Sequence, residues 1–353
     1  MPKDFISLIE SAEVHLTDKC NLRCTYCLSR KDSGKELGLK EIKIAIARFL
    51  SYPNLKNISF TGGEPFLKSR LLEKAISYTL QKAKLNNKEI LVNINTNGTL
   101  LDKATEKLCK NGRVQITVSI DGPKEINDGH RKFAENPNSS VFDAIGLDRL
   151  KKKIKNLRFS AVFNSASADD IYKNFSFFIK NNFFNINFLP VAYEIWPSAT
   201  LNKLDINLNR VIKDFRCLKP SYSGRFQSNR FGRGAFNCSK IILGSDGKYY
   251  FCEKAFMLDD RKRRKMSIGD IHTGPDFAKR QRLLEQSKGK IIKLIGKRCS
   301  GCHSFKFCFC LIGLYYHCFH KNVNFKKHFE SFCAISRIYF SNFLKQSFQR
   351  TGG

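Results

Sequence analysis

The stretch Asp18–Cys27 reads DKCNLRCTYC and places three cysteines, Cys20, Cys24 and Cys27, within eight positions. Thiolates this close in sequence point to a metal or iron–sulfur site, and a structural zinc or an ordinary four-iron cluster takes four of them. Three leave two options. A remote fourth ligand would complete a zinc site; alternatively one iron of a four-iron cluster stays open for a non-protein ligand. Four further motifs carry glycine and polar residues suited to close approach of a ligand: TGGEP (61–65), NTNG (95–98), SIDGP (119–123) and INDGHRKF (126–133). Singly, each reads equally well as a turn.

The elements that would position these residues follow from periodicity. Short apolar runs at EVHLT (13–17), NISF (57–60), ILVNIN (90–95), VQITVSI (114–120), RFSAVF (158–163) and NINFLPV (185–191) read as strands. Helical patterns lie between them: KEIKIAIARFL puts Ile42, Ala45, Ile46, Phe49 and Leu50 on one face, and LLEKAISYTL, DKATEKLCKNG and DIYKNFSFFIKNN continue the alternation. Six such βα units predict an α/β fold, an open (β/α)6 partial TIM-type barrel whose working residues sit on the loops after the strands. The three cysteines follow the first strand. Beyond residue 195 the pattern changes to a linker with one helix over 204–218. Next come a dense set of cysteines, a turn into a strand at SDGKYYF, a solvated basic loop at RKRRK (261–265), and an amphipathic helix at AISRIYFSNFLKQSF.

Taken together, Cys20-x3-Cys24-x2-Cys27 and the four motifs, in this order over residues 10–195, resemble the radical S-adenosylmethionine (radical SAM) superfamily. The resemblance implies that the three thiolates hold a [4Fe-4S] cluster with one iron open to S-adenosylmethionine. One electron from the cluster then cleaves the cofactor, and the 5′-deoxyadenosyl radical abstracts a substrate hydrogen. It implies cofactor contacts from Gly62, Gly63 and Glu64 to the methionyl amino group, from Asn97, Ser119 and Asp121 near the ribose and methionyl groups, and from Arg131 to the carboxylate. Tyr26 falls where the family carries an aromatic near the adenine; loop packing explains it equally well.

The later cysteines resemble the SPASM extension of peptide- and protein-modifying radical enzymes. Cys238, Gly247 and Cys252 match its opening, and Cys299-x2-Cys302-x5-Cys308 matches its core. The chain then departs: the family's next cysteine falls on Ile312, and Cys310 stands two residues earlier. The resemblance implies two auxiliary [4Fe-4S] clusters. Cys299, Cys302, Cys308 and Cys333 would hold the distal one, and Cys238 and Cys252, with Cys310 and Cys318, the proximal one. Cys109 reads as a core residue, and Cys217 as a core residue ahead of a spare ligand or a hydrogen-donating thiol. The domain organisation expected is a barrel over 10–195, a linker over 196–237, a cysteine-rich iron–sulfur domain over 238–335 and a C-terminal helix and tail over 336–353.

Composition narrows the function class. The chain has 353 residues, 42% of them hydrophobic, and no run long and apolar enough to span a membrane or serve as a signal peptide, so a cytoplasmic protein is expected. In that compartment thirteen cysteines favour metal over disulfide chemistry. The formal charge is +31, and residues 210–353 hold 30 Lys and Arg against 9 Asp and Glu. An AT-rich coding bias accounts for many lysines but not for the few acids, and a basic face suits an acidic precursor peptide. The first expectation is therefore a peptide maturase that forms a side-chain crosslink, served by a flavodoxin- or ferredoxin-type reductant. About a dozen residues precede the first strand, so leader recognition is expected from a separate protein, from the C-terminal region or not at all. Other peptide chemistries (epimerisation, thioether formation, sulfatase-maturase-like oxidation) stay open. RNA modification is disfavoured by the lack of an attached RNA-binding module, and a non-catalytic iron–sulfur carrier by the intact motifs.

Overall fold

Each of the six expected strands forms, and each is short. They are β1 (Ser11–His15), β2 (Asn57–Thr61), β3 (Leu91–Thr96), β4 (Val114–Ser119), β5 (Leu157–Phe163) and β6 (Ile186–Pro190). The computed structural model describes residues 4–27, 34–101, 108, 110–154, 157–183, 185–215, 236, 239–302 and 310–348. Helices α1 (Leu39–Leu50), α2 (Ser69–Leu85) and α3 (Ile171–Lys180) stand between or after the strands, so the fold is the parallel α/β class expected of a partial (β/α)6 barrel. The expected helix around Cys109, and Cys217, lie outside the described residues.

The chain divides into two compact units. The first comprises 1–119, 128–158 and 238–284. Its strands β1 to β4 run parallel in sequence order. The polypeptide then returns to the free edge of β1: β7 (Lys240–Leu243) pairs with β1 in parallel. From β7, β8 (Lys248–Tyr250), β9 (Ser267–Asp270) and β10 (Gly274–Pro275) continue as an antiparallel meander. The turn between β7 and β8 is closed by Gly247 at φ 73°, a left-handed conformation that favours glycine. Residues 240–275, which open the expected iron–sulfur domain, thus extend the barrel's own sheet.

The second unit comprises 120–127, 159–237 and 285–353. It holds β5 and β6, paired in parallel, and α3, α4 (Ser198–Phe215), the carboxyl part of α6 (Phe277–Ile295), α7 (Leu311–Lys321) and α8 (Phe325–Phe348). Its core is aromatic: Phe159, Phe163, Phe178 and Phe188 are each at most 1% exposed. The loop after β6 is fastened to α8, where the Ser331 hydroxyl accepts the Trp196 N–H at 2.7 Å and Tyr339 donates to the Phe188 carbonyl.

Three elements differ from the sequence reading. The linker helix begins at Ser198 rather than 204, directly after Pro197, whose carbonyl accepts the Thr200 N–H at 2.9 Å. The last helix begins at Phe325 rather than 334, so Cys333 lies within a helix. The basic run 261–265 is no loop: it forms α5 (Asp260–Lys265), whose N-cap Asp259 accepts the Lys262 N–H at 2.9 Å. Four cations in its last turn suit the helix C-terminus, and Arg263 is buried rather than solvated.

The parallel sheet of the first unit has two unlike faces. Ala12, Val14, Ile58, Phe60, Val92, Ile94, Ile116 and Val118 are all fully or almost fully buried. The opposite face carries polar side chains in register: Glu13, Ser59, Asn93 and Gln115 form one row, His15 and Thr61 begin a second, and Asn95 pairs with Thr117. Most of these are half-buried. Parallel strands covered on both faces are normally apolar throughout, so a polar face marks surface kept for something other than packing. Phe60→Ala should therefore lower stability by about 3–5 kcal/mol. Ser59→Ala, one residue away on the other face, should stay within about 0.5 kcal/mol. Urea unfolding midpoints of the two variants check this.

Candidate functional site

The first unit gathers its motif residues at the carboxyl ends of β1, β2 and β3. The segment Thr17–Lys19 leaves β1 and passes directly over the TGGEP turn. The Gly63 N–H donates to the Thr17 carbonyl at 2.7 Å, and the Glu64 N–H to the Lys19 carbonyl at 2.8 Å. A Cβ on Gly63 would lie 1.9 Å from the Lys19 carbonyl oxygen, and one on Gly62 2.4 Å from that of Thr17. Gly62 also has φ 129°. Both glycines are therefore demanded by backbone-to-backbone contact.

Glu64 is buried and fully engaged. One carboxylate oxygen accepts the Phe66 N–H at 3.0 Å and the Thr96 hydroxyl at 2.7 Å; the other accepts the Asn97 N–H at 2.8 Å. Burial raises its pKa to about 7, against the pull of these three donors. Through these bonds the Glu64 side chain ties the β2 loop to the end of β3. Asn97 reaches onward: its amide donates to Asn21 Oδ1 at 2.8 Å and lies 3.9 Å from Cys20 Sγ.

The cysteine loop is fixed along its length. Cys20, Cys24 and Cys27 are half-buried, half-buried and exposed. Arg23 and Thr25 donate main-chain hydrogen bonds to Lys132 and His130, at 2.8 and 3.0 Å, and Ala134 donates back to Asn21 at 2.9 Å. The INDGHRKF motif thus forms the outer brace of the loop. Arg131 is buried with its guanidinium 5.5 Å from the Tyr26 ring, and that ring lies 5.8 Å from His130. The structure therefore brings together Cys20, Cys24, Cys27, Tyr26, Gly62, Gly63, Glu64, Asn97 and Arg131. Ser119 ends β4. Asp121 belongs to the second unit, where it is buried and accepts the Val162 N–H at 3.0 Å.

Beneath the loop, the sequence reading passed over a charged group on the polar sheet face. Glu13 accepts from His15 Nε2 and from Lys240 Nζ, both at 2.8 Å, and Lys240 also meets Glu253 at 3.1 Å. Burial opposes ionisation of Glu13, but Lys240 and His15 outweigh it and hold the carboxyl well below its usual range. The His15 ring stacks on Phe256 at 4.0 Å. Polar residues alternating within strand runs (E-V-H, N-I-N, Q-I-T) were the available signal.

The later cysteines fall in both units. Cys252 is buried in the first, just after β8. In the second, Cys299 and Cys302 lie near enough to act on Cys333, and Cys302 on Cys299. Burial, with Cys299 beside it, pushes the Cys333 thiol up to about 12, and Cys299 is raised by burial and Cys302. Cys310 caps α7, accepting the Gly313 N–H at 3.4 Å. Cys318 lies eight residues on, about 12 Å along the helix that Cys310 caps. Burial raises the Cys318 thiol to about 11. Cys238 and Cys308 lie outside the described residues. Among the described residues no three His, Cys, Asp or Glu side chains close to metal-ligand geometry, and no helix is long and apolar enough to cross a membrane.

Comparison with known proteins finds a family match over part of the chain. Residues 14–175 match the Radical SAM superfamily. An uncharacterized protein of Methanocaldococcus jannaschii is 35% identical over 136 residues, which is 38% of this chain and 46% of that relative, so the chain spans less than half of its length. A cysteine-type anaerobic sulfatase-maturating enzyme of Clostridium perfringens is 25% identical over 332 residues, 82% of this chain and 84% of the relative. The solved structure of native anSMEcpe with bound AdoMet and Kp18Cys peptide superposes with TM-score 0.67 at 22% identity, covering 94% of this chain and 98% of that one, which shows the shared fold.

Glu64 gives the site a measurable pH signature. Its folded pKa of about 7 lies above the ordinary 4.5, so the folded state holds the proton more tightly. Its contribution to stability is therefore fully present below pH 4.5 and is lost as pH rises to 7, a change of about 3 kcal/mol. Unfolding midpoints across this window should show that fall, and Glu64→Gln should remove it.

Proposed function

From a chain that carries a radical SAM domain, and is an enzyme of that superfamily related to sulfatase maturases and peptide modifiers, we propose a maturase that oxidises a side chain of a ribosomally made peptide, forming a crosslink. The observation that carries the reading is the braced thiol loop above a polar sheet face. The loop fits a four-iron cluster with one open iron: three thiols, one exposed, on main chain held by hydrogen bonds at Arg23, Thr25, Gly63 and Glu64. When bound, the cluster and S-adenosylmethionine would supply hydrogen-atom abstraction from the substrate.

The chain's own residues would do the rest. Gly62, Gly63 and Glu64 would present main chain to the cofactor's methionyl end, Arg131 would offer a cation to its carboxylate, and Tyr26, Asn97 and Ser119 would contact the remainder. The rows Ser59–Asn93–Gln115 and Asn95–Thr117 suit an extended peptide, whose main chain needs many neutral hydrogen-bonding groups. The buried Gln115 Oε1 atom, which has no partner among the described residues, supports this use. Cys252, Cys299, Cys302, Cys310, Cys318 and Cys333, with Cys238 and Cys308, are the proposed donors for two auxiliary clusters. Such clusters would accept the electron that a substrate radical loses, with a proton, when the new bond forms. A cytosolic location, an acidic precursor peptide and a small one-electron donor protein complete the proposal.

A second reading, oxidation of a cysteine as in sulfatase maturation, is favoured by the relatives that align over most of the chain. The product separates the two: loss of a pair of hydrogens with the sulfur retained marks a crosslink, and loss of sulfur with a new carbonyl marks the oxidase. After anaerobic reconstitution the enzyme should hold about twelve irons with matching sulfide. Replacing Cys20, Cys24 and Cys27 together by alanine should remove about four of these and abolish 5′-deoxyadenosine formation. Zinc without sulfide would contradict the reading.

A further inference from the structure

Of the five cations in the run 261–265, four are exposed and Arg263 is 3% exposed. A guanidinium withdrawn from water is tolerated only among acceptors. Arg263 faces three carboxylates, Asp260 at 2.8 Å, Asp18 at 3.8 Å and Asp246 at 3.9 Å. Two of these acids are themselves tied: Tyr250 donates to Asp246 at 2.7 Å, and Lys35 to Asp260 at 3.0 Å. The third, Asp18, is 1% exposed and takes a short hydrogen bond from the Ser245 hydroxyl.

Asp18 stands two residues before Cys20, within the segment that passes over the glycine turn. That segment is gripped from two sides. On one side Gly63 and Glu64 bond to the carbonyls of Thr17 and Lys19. On the other, Ser245 from the β7–β8 turn and Arg263 from α5 hold the Asp18 side chain. A change at Arg263 would leave a carboxylate buried without its cation next to a loop of thiolates. The main chain between Asp18 and Cys20 is the route by which that loss would reach the thiol loop.

We propose that Arg263, acting with Ser245 through Asp18, is a positioning residue that sets the Cys20 end of the thiolate loop against the glycine turn. The added meander and α5 thereby tune how the cofactor seats on the loop. This rests on the reading of Cys20, Cys24 and Cys27 as cluster ligands.

The test uses reconstituted full-length enzyme and four variants, Arg263→Gln, Arg263→Lys, Ser245→Ala and, as an exposed control of equal charge change, Arg264→Gln. The readouts are the EPR spectrum of the reduced protein with and without S-adenosylmethionine, the cofactor Kd and the thermal midpoint. Arg263→Gln should weaken cofactor binding by about tenfold and alter the cofactor-induced EPR change. Arg263→Lys should recover part of both, and Arg264→Gln should match the parent. If Arg263→Gln fails to fold, Ser245→Ala decides, with a smaller shift in the same direction expected. A variant with a lowered thermal midpoint but parental Kd and EPR response would overturn the proposal and leave Arg263 merely structural. A parent enzyme with no cofactor-responsive cluster signal would instead sink the cluster reading, and the proposal with it.

Discussion

The site depends on one contact between two stretches of main chain. Thr17–Lys19 and Gly62–Glu64 are joined by amide-to-carbonyl hydrogen bonds with no room for a Cβ between them. This fixes where the cysteine loop begins. It also forces the next side chain, Glu64, inward among the strand ends, where desolvation competes with three donors. The carboxylate is thereby committed to the protein's own backbone, and Asn97, held by it, is what extends toward Cys20. Moving any one of these residues would move the others.

The second constraint is the division of labour between the faces of the sheet. Ile58, Phe60, Val92 and Ile94 supply the burial that holds the first unit together. The intervening Ser59, Asn93 and Gln115 are released from packing. A parallel sheet that spends only one face on stability can keep the other chemically varied. The Glu13–His15–Lys240 group shows how far this goes, since it keeps a carboxylate ionised inside the protein by giving it two partners.

The strands and their ending motifs were legible in the sequence because both signals are local: period-two alternation, and turn residues immediately after it. The thiol loop was legible through spacing, and Tyr26 and Arg131 through their places in short motifs. What escaped depends on partners far along the chain. Arg263 looks like any member of RKRRK until Asp18, Asp246 and Asp260 are seen around it, and no periodicity in a five-residue run reveals that. The return of β7 to the edge of β1 was hidden for the same reason. The early starts of α4 and α8 reflect weak boundary signals rather than wrong periodicity. Cys310 and Cys318 could be counted from sequence, but their separation along one helix could not.

The return of β7 to β1 has a consequence in time. Ser245 and Asp18 are 227 positions apart, yet they share a hydrogen bond. While the chain is still emerging from the ribosome, β1 has a bare edge, and the residues before Cys20 are held on one side only. An N-terminal domain that folds during synthesis would carry its three thiols in a loop not yet clamped. Any ligand that needs the three thiols in their final places would therefore be best received by a nearly finished polypeptide. The order of biogenesis is written into strand pairing: the last segment added to the first unit's sheet completes the setting of a loop made among the first.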